Sequence, residues 1–144
     1  MAKQKAIPKP KVMSKVIPDW TESKFWSFIR SALRSAANKY PVKWEVLKES
    51  KRPYGGADKR TKWEYRCALC KKWKKGSDVS VDHIIPAGSL NNYNDLVPFV
   101  QRLFVSKDGL QVLCSVCHGA KTSQEREATK IAKQGSADVH SSSN

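Results

Sequence analysis

Leu110-Gln111-Val112-Leu113-Cys114-Ser115-Val116-Cys117-His118 carries the decisive pattern of this chain: a short apolar run that fits a strand, then a Cys-x-x-Cys pair, then a histidine where a helix is expected to open. A second pair, Cys67-Ala68-Leu69-Cys70, lies upstream, and the two pairs use all four cysteines of the chain. A two-residue gap lets both sulfurs of a pair reach one ion, and four thiolates complete a tetrahedral Zn²⁺ site. Two disulfides are the rival reading, but they require an oxidising compartment. Residues 1–15 are lysine-rich and lack the apolar core of a secretion signal, so a cytoplasmic protein with a structural zinc at Cys67, Cys70, Cys114 and Cys117 is expected.

Working outward, Val79-Ser80-Val81-Asp82-His83 alternates small apolar and polar residues, as a strand delivering Asp82 and His83 at its end should. Asp108-Gly109 is a turn signal, and Leu110 to Leu113 is expected to pair with the first strand as a hairpin. The last helix is expected from Cys117-His118 to about Lys133. Lys62 to Arg66 alternates aromatic and charged residues and reads as a half-buried strand entering Cys67. A helix from Asp95 to Phe104 follows from the stripe Leu96, Phe99, Val100 and Leu103, with Pro98 in its first turn. Towards the N-terminus, Asp19 and Glu22 resemble a capping box. Phe25, Phe28, Ile29, Ala32, Leu33 and Ala36 then repeat at helical spacing up to about Lys39, before Pro41. Val42 to Lys48 fits either a strand or a short helix. The fold class expected is α+β, in four parts: a flexible basic arm (1–18), an N-terminal helical extension (19–60), a domain with the four-cysteine zinc site (61–133) and a disordered Ser-rich tail (134–144) that includes His140.

A net charge of +14 on 144 residues is unevenly placed: residues 1–75 hold 21 Lys/Arg against 6 Asp/Glu, whereas residues 76–144 hold 6 against 7. A basic half of this size favours a polyanion, and nucleic acid is the commonest, since each neutralised phosphate releases counterions. A membrane partner is not expected, for want of an 18-residue apolar stretch or a lipid-anchor motif. Lys72, Trp73 and Lys74 sit in a run of four lysines around one aromatic, a pattern that suits a sugar-phosphate backbone with a stacked base; the alternative packs Trp73 beside the cysteines and leaves the lysines in water. Arg30 and Arg34, four apart on one helix face, are either phosphate contacts or solvated surface.

The segments Val81-Asp82-His83-Ile84-Ile85-Pro86 and Leu110 through Cys117-His118-Gly119-Ala120-Lys121-Thr122 resemble the two halves of the HNH endonuclease motif. The likeness is to the four-cysteine zinc branch found in bacteriophages and bacteria, and it covers about residues 63–130. It implies a ββα-metal, treble-clef-like core with a zinc knuckle, and a nuclease that nicks or cuts both strands of DNA to leave 5′-phosphate and 3′-hydroxyl ends. In that scheme His83 is the general base, while Asp82 and His118 hold a catalytic divalent ion such as Mg²⁺, Mn²⁺, Ni²⁺ or Zn²⁺. Elementary chemistry agrees with the residue types. An imidazole with a pKa near ~6.5 accepts a proton from water at neutral pH, and a carboxylate with a second imidazole suits a divalent ion. Lys121 and Thr122 are candidates for a phosphate contact near the helix N-terminus.

Alternatives stay open on residues alone. Asp82 can instead orient His83, and His118 can replace a cysteine at the zinc. The family's middle asparagine falls on Gly109, so its role is absent, or passes to Asp108, Asn91, Asn92 or Asn94. At the level of function the alternatives are a non-catalytic zinc-ribbon module that binds nucleic acid, or a phage accessory protein acting with an unknown phage or host partner.

Overall fold

The computed structural model describes residues 19–141, with side chains through residue 135. The basic arm assigned to residues 1–18, residues 142–144 and the side chain of His140 lie outside that description. Among the described residues, four α-helices and two small antiparallel sheets make an α+β fold. In chain order these are α1 (Glu22–Asn38), α2 (Pro41–Ser50), β1 (Lys51–Pro53), β2 (Trp63–Arg66), β3 (Trp73–Lys75), β4 (Val79–His83), α3 (Tyr93–Leu103), β5 (Leu110–Cys114) and α4 (Ser115–Ser141), with 3-10 turns at Gly76–Asp78 and Lys107–Gly109. No helix among the described residues is long and apolar enough to cross a membrane.

The chain divides into two compact units, and their limits differ from the boundary expected at residue 60. Among the described residues, one unit joins 19–39 with Pro86–Phe104; the other joins Tyr40–Ile85 with 105–141. In the first unit α1 starts two positions later than the capping box suggests. Thr21, not Asp19, is the N-cap, its Oγ1 accepting from the Lys24 N–H at 3.2 Å, a contact worth roughly 1 kcal/mol. The buried face is also rotated from the expected stripe: Trp26 and Ala37 are buried and Phe25, Ile29 and Leu33 pack beside them, while Phe28 is 56% exposed and meets the Trp20 ring instead. Against that face stand Ala87 and Leu90 from the loop and Phe99 and Leu103 from α3. Helix α3 opens earlier than expected, capped by Asn92, whose side chain accepts from the Asp95 N–H at 3.1 Å. Pro98 therefore lies deeper than a first turn, where it has no N–H to give the helix ladder.

In the second unit Pro41 does not only stop α1; it occupies the first turn of α2, where a missing N–H costs nothing. The segment that fitted strand or helix is thus helical, and Val46, Val42 and Leu47 pack on Leu110, Val112, Val79, Val81 and Tyr65. Strands β1, β2 and β3 form one antiparallel sheet in that order. Strands β4 and β5 pair antiparallel from Val79↔Cys114 to His83↔Leu110. They are not joined by a tight hairpin, because α3 lies between them in the chain. Strand β5 runs straight into α4, which continues to Ser141, so the residues assigned to a disordered tail from Gln134 are helical that far.

Candidate metal centre and Asp-His site

The two cysteine pairs converge in the second unit. Cys67 ends the path out of β2 in a tight turn: its N–H donates to the Lys72 carbonyl at 3.0 Å, and its own carbonyl accepts from the Lys71 N–H at 3.0 Å. Lys71 takes the left-handed conformation, φ 62°, that such a turn demands and that usually favours glycine. The Ala68 N–H reaches the Val112 carbonyl at 2.8 Å and docks the turn on β5. The other pair straddles the strand-helix joint, Cys114 closing β5 and Cys117 lying in the first turn of α4. Cys70 Sγ and Cys114 Sγ are 3.8 Å apart, and all four sulfurs lie within 4.8 Å of one another. A tetrahedral ion with bonds of about 2.3 Å to sulfur sets its ligands about 3.8 Å apart, so the cluster is sized for a metal such as zinc.

The thiols are electrostatically unlike. Burial acts to raise Cys67, but backbone N–H groups of Cys114, Cys70 and Leu69 favour its thiolate and bring it down to about 6. Cys117 is pushed up to about 12, first by its hydrogen bond with Cys114 and then by burial. Four thiolates packed this closely need a cation among them, so metal uptake expels protons and tightens as pH rises.

Beside this cluster, alternation along β4 sends Val79 and Val81 to the α2 side and Asp82 to the α4 side. His83 follows Asp82 at the strand end and pairs with Leu110, which by the same alternation puts it on the Val79–Val81 face. On α4, His118, Lys121, Thr122 and Glu125 share one face by helical spacing. His118 Nε2 is 3.7 Å from Asp82 Oδ1, and Lys121 Nζ is 2.8 Å from Asp82 Oδ2. The same ammonium donates to the His83 carbonyl at 2.8 Å and to Glu125 Oε1. Lys121 is thus turned inward, 17% exposed, and not displayed as a phosphate contact. Burial acts to lower its pKa, yet the contacts with Asp82 and Glu125 outweigh that and the net shift is upward, keeping it an ammonium. Thr122 is also committed, its hydroxyl donating to the His118 carbonyl at 2.9 Å. Lys43 on α2 adds a second positive charge: burial lowers its pKa while the Asp82 charge acts to raise it.

Asp82 Oδ2 tests whether a divalent ion suits this place. It is buried and ion-paired with the Lys121 ammonium at 2.8 Å, so an ion shared with His118 would meet Asp82 at Oδ1. A separation of 3.7 Å between Nε2 and Oδ1 lies within the reach of two metal bonds of about 2.0–2.2 Å. That spacing alone leaves room for a shared ion, whereas the four cysteines are the group of three or more metal-capable side chains found among the described residues.

Gly109 closes the strand end. Its carbonyl accepts from the Ile84 N–H and its N–H donates to the Ser106 carbonyl, at 3.0 and 2.9 Å. A Cβ here would stand 2.7 Å from Val105 Cγ2 and 2.8 Å from Val105 Cβ. The loop is thus fastened by backbone where the resemblance places an asparagine side chain; the Asn92 side chain caps α3, and the Asn91 backbone N–H donates to Asp95. Gly109→Ala is expected to cost about 1–3 kcal/mol in denaturant unfolding, because Val105 is stiff and close, with Val105→Ala relieving part of the loss.

Compared with protein-family models, curated proteins and solved structures, the chain finds no match. The chemistry therefore rests on the geometry of its own residues.

The remaining candidates are distributed elsewhere. Arg52 lies over the Trp73 ring, 3.8 Å from its centroid, and ion-pairs with Glu64 at 2.7 Å, so one face of that indole is covered by a cation of its own chain. Lys72 is exposed and Lys74 half-buried. In the first unit Arg30 Nη1 donates to the Leu90 carbonyl at 3.4 Å, and Arg34 lies over the Phe99 ring. Sequence reasoning missed Glu125 and Lys43; Glu125 had a signal in its helical spacing from His118 and Lys121, while Lys43 had none until α2 was placed. Asp58, also unforeseen, accepts from Lys75, Thr61 and the Arg60 N–H, which hold its carboxyl down at about 2. A depressed carboxylate contributes stability that is complete above the ordinary pKa of 3.8 and is lost as pH falls through about 2. The stability difference between wild type and Asp58→Asn in acid titration is expected to vanish over that window.

Proposed function

We propose that this chain is a metal-dependent endonuclease of the HNH type acting on DNA. The observation that carries the reading is the meeting of Asp82 and His118, 3.7 Å apart, on a strand and a helix joined beside a four-cysteine cluster. In this reading Cys67, Cys70, Cys114 and Cys117 hold a structural zinc. It fixes β5 to the start of α4 and so sets His118 against Asp82. A divalent ion held by Asp82 and His118 supplies charge neutralisation for the phosphodiester and its leaving oxygen. His83, at the end of β4, is the base for the attacking water in this reading; alternation sets it across the strand from Asp82, so the role requires its imidazole to turn round the strand end towards the ion. Its backbone is steadied by Lys121 at its carbonyl and by the Ile84–Gly109 bond just beyond it. Nucleic acid is drawn by the basic half of the chain, with exposed Lys72 beside the zinc cluster as one contact.

The test is conversion of supercoiled plasmid to nicked or linear form with Mg²⁺, Mn²⁺ or Ni²⁺, run with chelator controls. Intact plasmid under conditions where DNA binding is demonstrated overturns the proposal. A second reading, a non-catalytic zinc module that binds nucleic acid, draws on the ammonium already seated against Asp82. It requires that wild type and His83→Ala both bind DNA and that neither cleaves.

A further inference from the structure

Lys121 is the most heavily engaged cation of the described structure outside the sheets. Its ammonium meets the carboxylates of Asp82 and Glu125 and the carbonyl of His83, and its side chain is 17% exposed. A lysine whose work is to attract DNA would sit in water with its charge outward. Here three oxygens from two elements surround one positive charge, an arrangement that resembles the oxygen surroundings of a bound cation. Asp82 is common to this cluster and to the pair proposed to hold the divalent ion. One oxygen, Oδ2, faces the ammonium, while the other, Oδ1, faces His118.

We propose that Lys121 is a resident cation of the Asp82 site, which a divalent ion must draw away from Asp82 towards Glu125, so that this lysine sets how weakly the site takes metal. The inference rests on the reading that Asp82 and His118 bind such an ion. Two positive centres cannot both sit against one carboxylate without repulsion, and partial burial of the site weakens screening of it. Glu125, one turn further along α4, is the acceptor that keeps the displaced ammonium paired. Lys121 is therefore a positioning residue, acting through Asp82, and its exchange between two carboxylates couples metal uptake to the local hold on the His83 carbonyl.

The full chain with its zinc bound is used for the test. In wild type, titration with Mg²⁺ is followed by NMR of the Lys121 side-chain nitrogen and of the His118 ring, the lysine signal being assigned by its loss in Lys121→Gln. The expected result is that both move with the same midpoint. Movement of His118 with an unmoved Lys121 overturns the inference alone. No response of His118, together with identical Mn²⁺ binding by wild type and Asp82→Asn, overturns the underlying metal reading and the inference with it. Calorimetry with Mn²⁺ provides the second arm: Lys121→Gln is expected to bind ~10-fold or more tightly than wild type, and Lys121→Arg, which keeps the charge, no more tightly. Equal or weaker binding by a folded Lys121→Gln protein overturns the proposal. If that variant does not fold, the wild-type titration decides.

Discussion

Cys114→Ser is expected to abolish stoichiometric zinc binding and to unfold the unit that carries the Asp-His site. Cys114 is 4% exposed, joins β5 to α4, and packs with Cys67 and Leu113, both fully buried. A structural zinc contributes on the order of 10–16 kcal/mol of apparent binding energy in small metal-folded domains at neutral pH, against a total stability of roughly 5–15 kcal/mol for a typical domain. The second unit has a small core of its own, in which Val46, Leu110 and Val112 are the buried members of the main cluster. Loss of the metal is therefore expected to remove a share of stability comparable to the whole of what such a unit holds. The measurements are zinc content by elemental analysis and thermal unfolding by circular dichroism, with a strong chelator expected to reproduce the effect on wild type. Acid should do the same, since lower pH returns protons to the thiolates that would hold the metal. A Cys114→Ser protein with full zinc content and an unchanged melting temperature would sink the assignment.

His83→Ala is the second large effect, and it falls on turnover alone. If His83 is the base, its removal should lower cleavage by about 10²–10⁴-fold, the usual contribution of a positioned proton acceptor. DNA affinity, zinc content and melting temperature should stay near wild type, because the cysteines and the β4–β5 ladder do not depend on the imidazole. Asp82→Ala is expected to reduce cleavage at least as much, and it also strips Lys121 of one of its two carboxylates. Plasmid cleavage at saturating DNA, beside anisotropy measurements of binding, separates these cases. Full activity in folded His83→Ala would assign the proton transfer to another group.

How far the chain could be read in advance follows from the range of each interaction. The four-cysteine cluster was legible because a Cys-x-x-Cys gap is local geometry, and β4 and β5 because alternation of apolar residues marks a strand. Helix limits were less legible. Thr21 and Asp19 both suit a cap, and only the packing of Trp26, Ile29 and Leu33 selects the register that leaves Phe28 outside. The two compact units do not follow the boundary at residue 60, because α1 buries its face on residues far away in sequence, around Leu90 and Phe99. No local signal announces such a partner.

By itself the sequence determined the inventory: four cysteines at metal-ligand spacing, an Asp-His strand end, a histidine one residue past the last cysteine, and a basic N-terminal half. Tertiary structure decided what each residue faces. It brought Asp82 to His118, turned Lys121 from an expected phosphate contact into the neighbour of two carboxylates, added Glu125 and Lys43, and gave Gly109 a backbone bond where Val105 leaves no room for an asparagine. The physical reason is that spacing along a chain limits which ligands can share an ion, whereas the direction of a charged side chain depends on charges and walls supplied by distant elements.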